Sequence, residues 1–136
     1  MTLIKSISGI RGTLGGKPGH SLSPLDVVAF VSAFAAMLQQ NAGQKKCKVV
    51  VGRDARPSGQ MVLNLVTSSL VACGVDVVDL GMACTPTVEM AVTDLKADGG
   101  IIITASHNPV HWNALKFLNS QGEFISALEG EEILSR

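Results

Sequence analysis

The sequence is short of most of what would give it a specialised surface. Of its 136 residues only 16% are charged, eleven basic against eleven acidic, for a formal net charge of zero. Without a surplus of Lys and Arg there is little to displace counterions from a phosphate backbone, which excludes non-specific nucleic-acid binding. Tyrosine is absent, and Phe30, Phe34, Trp112, Phe117 and Phe124 are too few for a base-stacking platform. The three cysteines, Cys47, Cys73 and Cys84, are odd in number and widely spaced, so they form neither a disulfide framework nor a Cys-x-x-Cys metal site. Their apolar surroundings read as burial, three small hydrophobes suited to a reducing cytoplasm. No basic segment followed by an apolar one opens the chain. Ser, Asp, Gln or Gly interrupts every apolar stretch before the ~18 residues of a membrane span. The expectation is a soluble cytoplasmic protein without a membrane or nucleic-acid partner.

What remains is apolar: 46% of residues, with a mean hydropathy of +0.34. That length and composition suffice for one domain with its own core. Two periods alternate along it. Short β-rich runs lie at 47–52, 75–80, 100–104 and 114–118, and segments with helical spacing lie before or between them. Ser23-Pro24-Leu25-Asp26 predicts a capped helix start, followed by a broad apolar face through Leu38. A second helix is predicted over 58–73, stopped by Gly74, and a third over 87–95. Ser120-Gln121-Gly122-Glu123 reads as a hairpin turn, and Ser126-Ala127-Leu128-Glu129 as a capping box opening a last helix through Leu134. The first three strands are continuous apolar runs, as in sheets covered on both faces. The predicted fold class is α/β: a layered α/β/α domain with a mainly parallel (mixed) four-stranded sheet between helices.

Four polar clusters punctuate this framework: Ser8-Gly9-Ile10-Arg11-Gly12, the segment from Gly52 to Gly59, Cys84-Thr85-Pro86-Thr87, and Thr104-Ala105-Ser106-His107-Asn108-Pro109. The last three directly follow apolar strands, where open α/β sheets bind ligands. Of the four arginines, Arg11, Arg53 and Arg56 lie in these clusters, and the guanidinium fork suits phosphate or carboxylate. With His107 and Lys116 nearby in sequence, the pattern points to a phosphate-bearing ligand. For Arg53 and Arg56 the structural alternative is an ion-pair network with Asp54 that pins the loop.

Standard motifs are absent. Lys17 is followed by Pro18, so no P-loop is present, and no Gly-x-Gly-x-x-Gly follows a strand. Ser106 lacks the glycines of a nucleophile elbow. His107 and His111 have helical metal-ligand spacing, but Pro109 between them breaks the helix that spacing would need. Taken alone, Ser106 reads as a turn or capping residue.

Together and in order, Ser-Gly-Ile-Arg-Gly, Gly-Arg-Asp-x-Arg-x-Ser-Gly, the Thr-Pro turn and Thr-Ala-Ser-His-Asn-Pro resemble the N-terminal domain of the α-D-phosphohexomutases over nearly the whole chain. The last of these segments is the most specific. The resemblance implies that residues 1–136 are domain I of a longer multidomain enzyme, since one domain accounts for this length. The family's Asp-Gly-Asp-Gly-Asp-Arg metal loop and Gly-Glu-x-Ser-Gly sugar-reading motif, which lie further along in relatives, do not occur here. One local departure stands out: the family often has Asn-Gly-x-Lys where this chain has Asn113-Ala114-Leu115-Lys116, which leaves the path between Asn113 and Lys116 open.

The resemblance implies an isomerase, an intramolecular phosphotransferase that interconverts hexose 1-phosphate and hexose 6-phosphate. A phosphoserine at Ser106 and a hexose 1,6-bisphosphate would be its intermediates, the bisphosphate also serving as activator. Phosphoglucosamine mutases and phosphomannomutases are the favoured members. Arg11, His107 and Lys116 would bind substrate, orient the phosphoryl group and assist proton transfer. Mg²⁺ would take one phosphoryl oxygen on Ser106, its other ligands lying in a domain absent from this chain. The chain alone would then be inactive, partnered by the enzyme's remaining domains, and prone to form a weak homodimer. A non-catalytic sugar-phosphate binding or regulatory domain of the same fold is the alternative, and a serine hydrolase a second one.

Overall fold

Apolar runs become strands wherever two helical layers are available to cover them. The computed structural model describes residues 3–6, 9–16, 21–43, 46–104, 112–126 and 133. In chain order these form β1 (Ile4–Ser6), β2 (Gly9–Thr13), α1 (Pro24–Ala42), β3 (Lys48–Arg53), α2 (Gly59–Ala72), β4 (Asp76–Met82), α3 (Thr85–Asp94), β5 (Gly99–Ile103) and β6 (Trp112–Leu118).

The helix ends follow from local chemistry. At the start of α1 the Ser23 hydroxyl accepts from the Asp26 N–H at 3.3 Å, and the Asp26 carboxylate reaches back to the Ser23 N–H at 3.3 Å. This is the predicted capping box, with Pro24 in the first turn. The helix runs to Ala42, four residues past Leu38. Gly74 follows α2 with φ 82°, a conformation that suits glycine. Helix α3 begins at Thr85 rather than 87, because Pro86 fits the first turn of a helix, where its missing N–H has no partner to lose.

The sheet has six strands among the described residues, ordered β1-β2-β6-β5-β3-β4. The β5–β3 and β3–β4 joints are parallel; β1–β2, β2–β6 and β6–β5 are antiparallel. The layered α/β class therefore stands, with two strands more than predicted and antiparallel pairing at one side. The extra strands, β1 and β2, lie in a segment with no apolar run. β2 reads Gly-Ile-Arg-Gly-Thr, and two glycines in five residues carry little strand propensity. Pairing with β6 makes it a strand.

Side chains on β3 and β5 alternate between the two cores. Val49, Val51, Ile101 and Ile103 pack with Val31, Phe34, Val62, Val66 and Leu70 of α1 and α2. Val50 and Ile102 pack with Val88 and Val92 of α3. Phe34 and Phe117 meet with ring centroids 4.8 Å apart, joining α1 to β6. Helix α1 is long and apolar enough, by length and composition alone, to cross a membrane, although Asp26, Ser32 and Gln39 interrupt its apolar run as expected. Its apolar inner face is built into the core instead.

After β6 the predicted turn is present: the Gly122 N–H donates to the Asn119 carbonyl at 3.1 Å and Gly122 takes φ 74°. Most of the helix predicted from Ser126 lies outside the described residues; Ile133 is helical and buried.

Candidate functional site

The register brings the polar clusters to one edge of the sheet. Arg53, the last residue of β3, pairs with Ile103 at the end of β5 and with Met82 at the end of β4. Thr13, the last of β2, pairs with Trp112, the first of β6. The carboxyl ends of four strands and the start of a fifth thus share this edge, the position where α/β sheets bind ligands.

A polar network occupies it. Asp54 Oδ2 accepts from the Thr104 hydroxyl at 2.7 Å and from Arg56 Nε at 3.2 Å, while Oδ1 accepts from the Arg56 N–H at 3.1 Å. Arg56 Nη1 donates to the Trp112 carbonyl at 3.3 Å. The side chain of Arg56 is only 11% exposed, while that of Asp54 is 30% exposed, so the pair is partly buried. Arg53 Nη1 donates to the Asp54 carbonyl at 3.1 Å, and Nη2 lies 3.5 Å from Gln60 Oε1. Its Nε is buried with no hydrogen-bond partner among the described residues. The expected ion pair with Asp54 is formed by Arg56; Arg53 reaches the Asp54 main-chain carbonyl and not its carboxylate.

Ser58 has the residue type of an N-cap, yet it makes no side-chain cap hydrogen bond to α2. Its Oγ instead accepts from Asn113 Nδ2 at 2.9 Å, and Asn113 Oδ1 accepts from the Ala114 N–H at 2.8 Å. Asn113 is wholly buried. These contacts join residues some fifty positions apart, and sequence reading missed both the Asp54–Thr104 and the Ser58–Asn113 pairs. The available signal was a polar residue at the end of an apolar strand, which marks a place without naming its partner.

Arg11 and Lys116 both stand on strands, Lys116 within the predicted run 114–118. Arg11 is exposed on β2, flanked by Ile4 and Ala114; Lys116 is half-buried on β6, flanked by Gly9 and Ile102. Paired residues share a face and alternate residues return to it, so Arg11 and Lys116 project from the same face, Arg11 nearer the ligand-binding edge. The path from Asn113 to Lys116 is regular strand. Ala114 is buried there beside Arg11, and its carbonyl accepts from the Thr104 N–H at 3.1 Å. Ser106, His107 and His111 lie outside the described residues; Thr104 and Trp112 are the described residues on either side of them.

The cysteines divide. Cys47 is buried, Cys73 half-buried and Cys84 exposed, so the expectation of three buried thiols holds at Cys47, in part at Cys73, and fails at Cys84. That residue precedes α3 with its Sγ 3.0 Å from Thr87 Oγ1. The Thr87 hydroxyl, then the Thr87 N–H, lowers its thiol pKa, against a smaller opposing effect of desolvation. Among the described residues no group of three or more His, Cys, Asp or Glu could hold a metal ion. Asp54, the carboxylate at the edge, is already shared between Arg56 and Thr104.

Residues 3–136 match the family described as phosphoglucomutase/phosphomannomutase, alpha/beta/alpha domain I. The chain is similar to a phosphoglucosamine mutase of Nautilia profundicola, 38% identical over 128 residues, which are 94% of this chain and 27% of that protein. It is also similar to a phosphoglucomutase/phosphomannomutase of Thermococcus kodakarensis, 40% identical over 113 residues, 82% of this chain and 25% of that protein. The crystal structure of a phosphoglucomutase/phosphomannomutase family protein from Burkholderia thailandensis superposes with a TM-score of 0.80 at 29% identity, covering 98% of this chain and 30% of that one. The chain thus spans about a quarter of the length of the curated relatives it matches.

Proposed function

The chain belongs to the phosphoglucomutase/phosphomannomutase family, and from that premise we propose that it is the serine-bearing domain of a cytoplasmic phosphohexomutase. Its substrates are a hexose 1-phosphate and the matching hexose 6-phosphate, with phosphoglucosamine or phosphomannose favoured. In the forward half-reaction the free hydroxyl oxygen of the sugar phosphate attacks phosphorus on phosphorylated Ser106. The P–Oγ bond breaks, the sugar leaves as a bisphosphate, and Ser106 Oγ takes up the proton that the attacking hydroxyl loses. In the second half-reaction Oγ attacks the other phosphoryl group, the P–O bond to the sugar breaks, and the departing sugar oxygen takes up the proton that Oγ gives up. This regenerates the phosphoserine and returns a monophosphate with its phosphate on the other carbon.

A phosphoryl group in transfer needs its charge met by fixed cations. Arg11 and Lys116 on one face of β2 and β6 are suited to this, with His107 as proton carrier beside the serine. The described residues build no metal site of their own. From this chain an ion would draw only the Ser106 phosphoryl oxygen, its other ligands coming with the enzyme's remaining domains.

The observation that carries the proposal is the meeting of Arg11 with Ala114 across β2 and β6, which sets a cation on the strand next to the one that leaves the Ser106 segment. The test is Ser106→Ala in a full-length enzyme containing this domain. Turnover primed with glucose 1,6-bisphosphate should fall by orders of magnitude with the fold intact. Near-normal turnover in a folded variant rejects the proposal. Sugar-phosphate binding without stable phosphate on Ser106 favours the non-catalytic binding domain.

A further inference from the structure

We propose that Asp54, acting with Arg56 and Thr104, positions the segment that carries Ser106 by tying together its two stems. The inference rests on the phosphoserine reading for its consequence, but not for its geometry. Strand β5 ends at Ile103 and β6 begins at Trp112. On the first stem the Thr104 hydroxyl donates to Asp54 Oδ2 at 2.7 Å, and the Asp54 N–H donates to the Ile103 carbonyl at 3.0 Å. On the second, Arg56 Nη1 donates to the Trp112 carbonyl at 3.3 Å. The two stems are linked because Arg56 Nε and Thr104 share the same carboxylate oxygen.

A second strut lies beside the first. Ser58 gives up capping α2 and accepts from Asn113 instead, while Asn113 holds the Ala114 N–H and Ala114 the Thr104 N–H. Two strands joined only by their own ladder fray from the open end. Here a third segment, 54–58, itself anchored through the β3–β5 register at Arg53 and Ile103, bridges both. Three protein donors share the two oxygens of Asp54. That occupancy fits a positioning residue and not a ligand to substrate or metal.

Thr104→Val removes the hydroxyl while keeping its shape, Thr104→Ser restores it, and Asp54→Asn turns an amide N–H₂ towards one of the donors. Hydrogen exchange on this 136-residue chain reads the anchoring directly. Amides over 104–114 should exchange about five- to tenfold faster in T104V and D54N, as the loss of one such hydrogen bond allows. They should return to wild-type rates in T104S, with α1 unchanged in all three. In a full-length enzyme containing this domain, kcat should fall about 10- to 100-fold, as misplacement of a reacting group by an ångström does, and KM should stay within about threefold. Should D54N fail to fold, T104V and T104S carry the test.

Unchanged exchange in the variants overturns the proposal. So does faster exchange with an unchanged kcat where the wild type turns over, since the hydrogen bonds would then serve the fold alone. A wild type with no mutase turnover removes the proposed function instead, and exchange then decides the anchoring by itself.

Discussion

At Gly9 two backbones meet so closely that a Cβ would overlap the Leu115 carbonyl oxygen and approach the Lys116 Cα to 3.0 Å. Both neighbours are backbone atoms of β6 and cannot swing aside. Gly9→Ala should therefore push β2 off β6 and destabilise the chain by at least about 3 kcal/mol, the upper end for overpacking, read as a lower urea midpoint. A midpoint near wild type would mean that β2 sits further from β6. Cys84 offers a second test. Its thiol pKa is lowered chiefly by the Thr87 hydroxyl, so the reactive thiolate persists to lower pH than in an ordinary thiol. Iodoacetamide should modify Cys84 ahead of Cys73 and Cys47. The midpoint of its pH–rate profile should lie below the usual thiol range and move upward in Thr87→Val. A profile indifferent to Thr87 rejects that cause. Neither residue announces its setting in sequence: Gly9 reads as loop, and Cys84 shares the apolar neighbourhood of the buried Cys47.

Among the elements, α1 and α2 begin at the same residue type and use it differently. Ser23 caps α1, so Ser23→Ala should lower stability by about 1 kcal/mol. Ser58 caps nothing, but its loss would strand Asn113 Nδ2 in a fully buried site, at about 1–3 kcal/mol. Equilibrium unfolding should therefore find Ser58→Ala at least as damaging as Ser23→Ala. A neutral Ser58→Ala would show that the Asn113 contact is not formed. The helices and four of the strands were legible because 3.6-residue spacing and unbroken apolar runs are local signals. β2 was not legible, since Gly9, Arg11 and Gly12 carry no such signal and the strand exists through its pairing with β1 and β6. Arg11 was accordingly read as a loop residue, although its pairing with phosphate chemistry could be suggested from residue type alone.

On the scale of the molecule, the outer side of the α1–α2 layer is nearly free of charge. The 19 residues of α1 carry one charged side chain, Asp26, which is engaged in the capping box, and the 14 residues of α2 carry none. Leu25 and Val71 are 67% and 63% exposed, and Met61 44%. An apolar groove of about 520 Å³ between the helices is lined by Val28, Ser32, Met61, Leu65 and Ser69. A few hundred Å² of such surface, at roughly 25 cal/mol per Å², offers several kcal/mol for association before the entropy of binding is subtracted. The isolated chain should therefore self-associate weakly. Sedimentation velocity over a concentration series should show dimer, and Met61→Lys with Val71→Lys should abolish it. A strict monomer at high concentration removes the idea. By itself the sequence determined the layered class, the capped start of α1 and the four clusters, because periodicity, caps and turn residues act over a few positions. Only the tertiary structure decided that Asp54 holds Thr104, that Ser58 serves Asn113 and not α2, and that Arg11 stands on a strand beside Ala114. Those pairings depend on strand order and register, which are set by long-range packing and leave no mark on the spacing of residues along the chain.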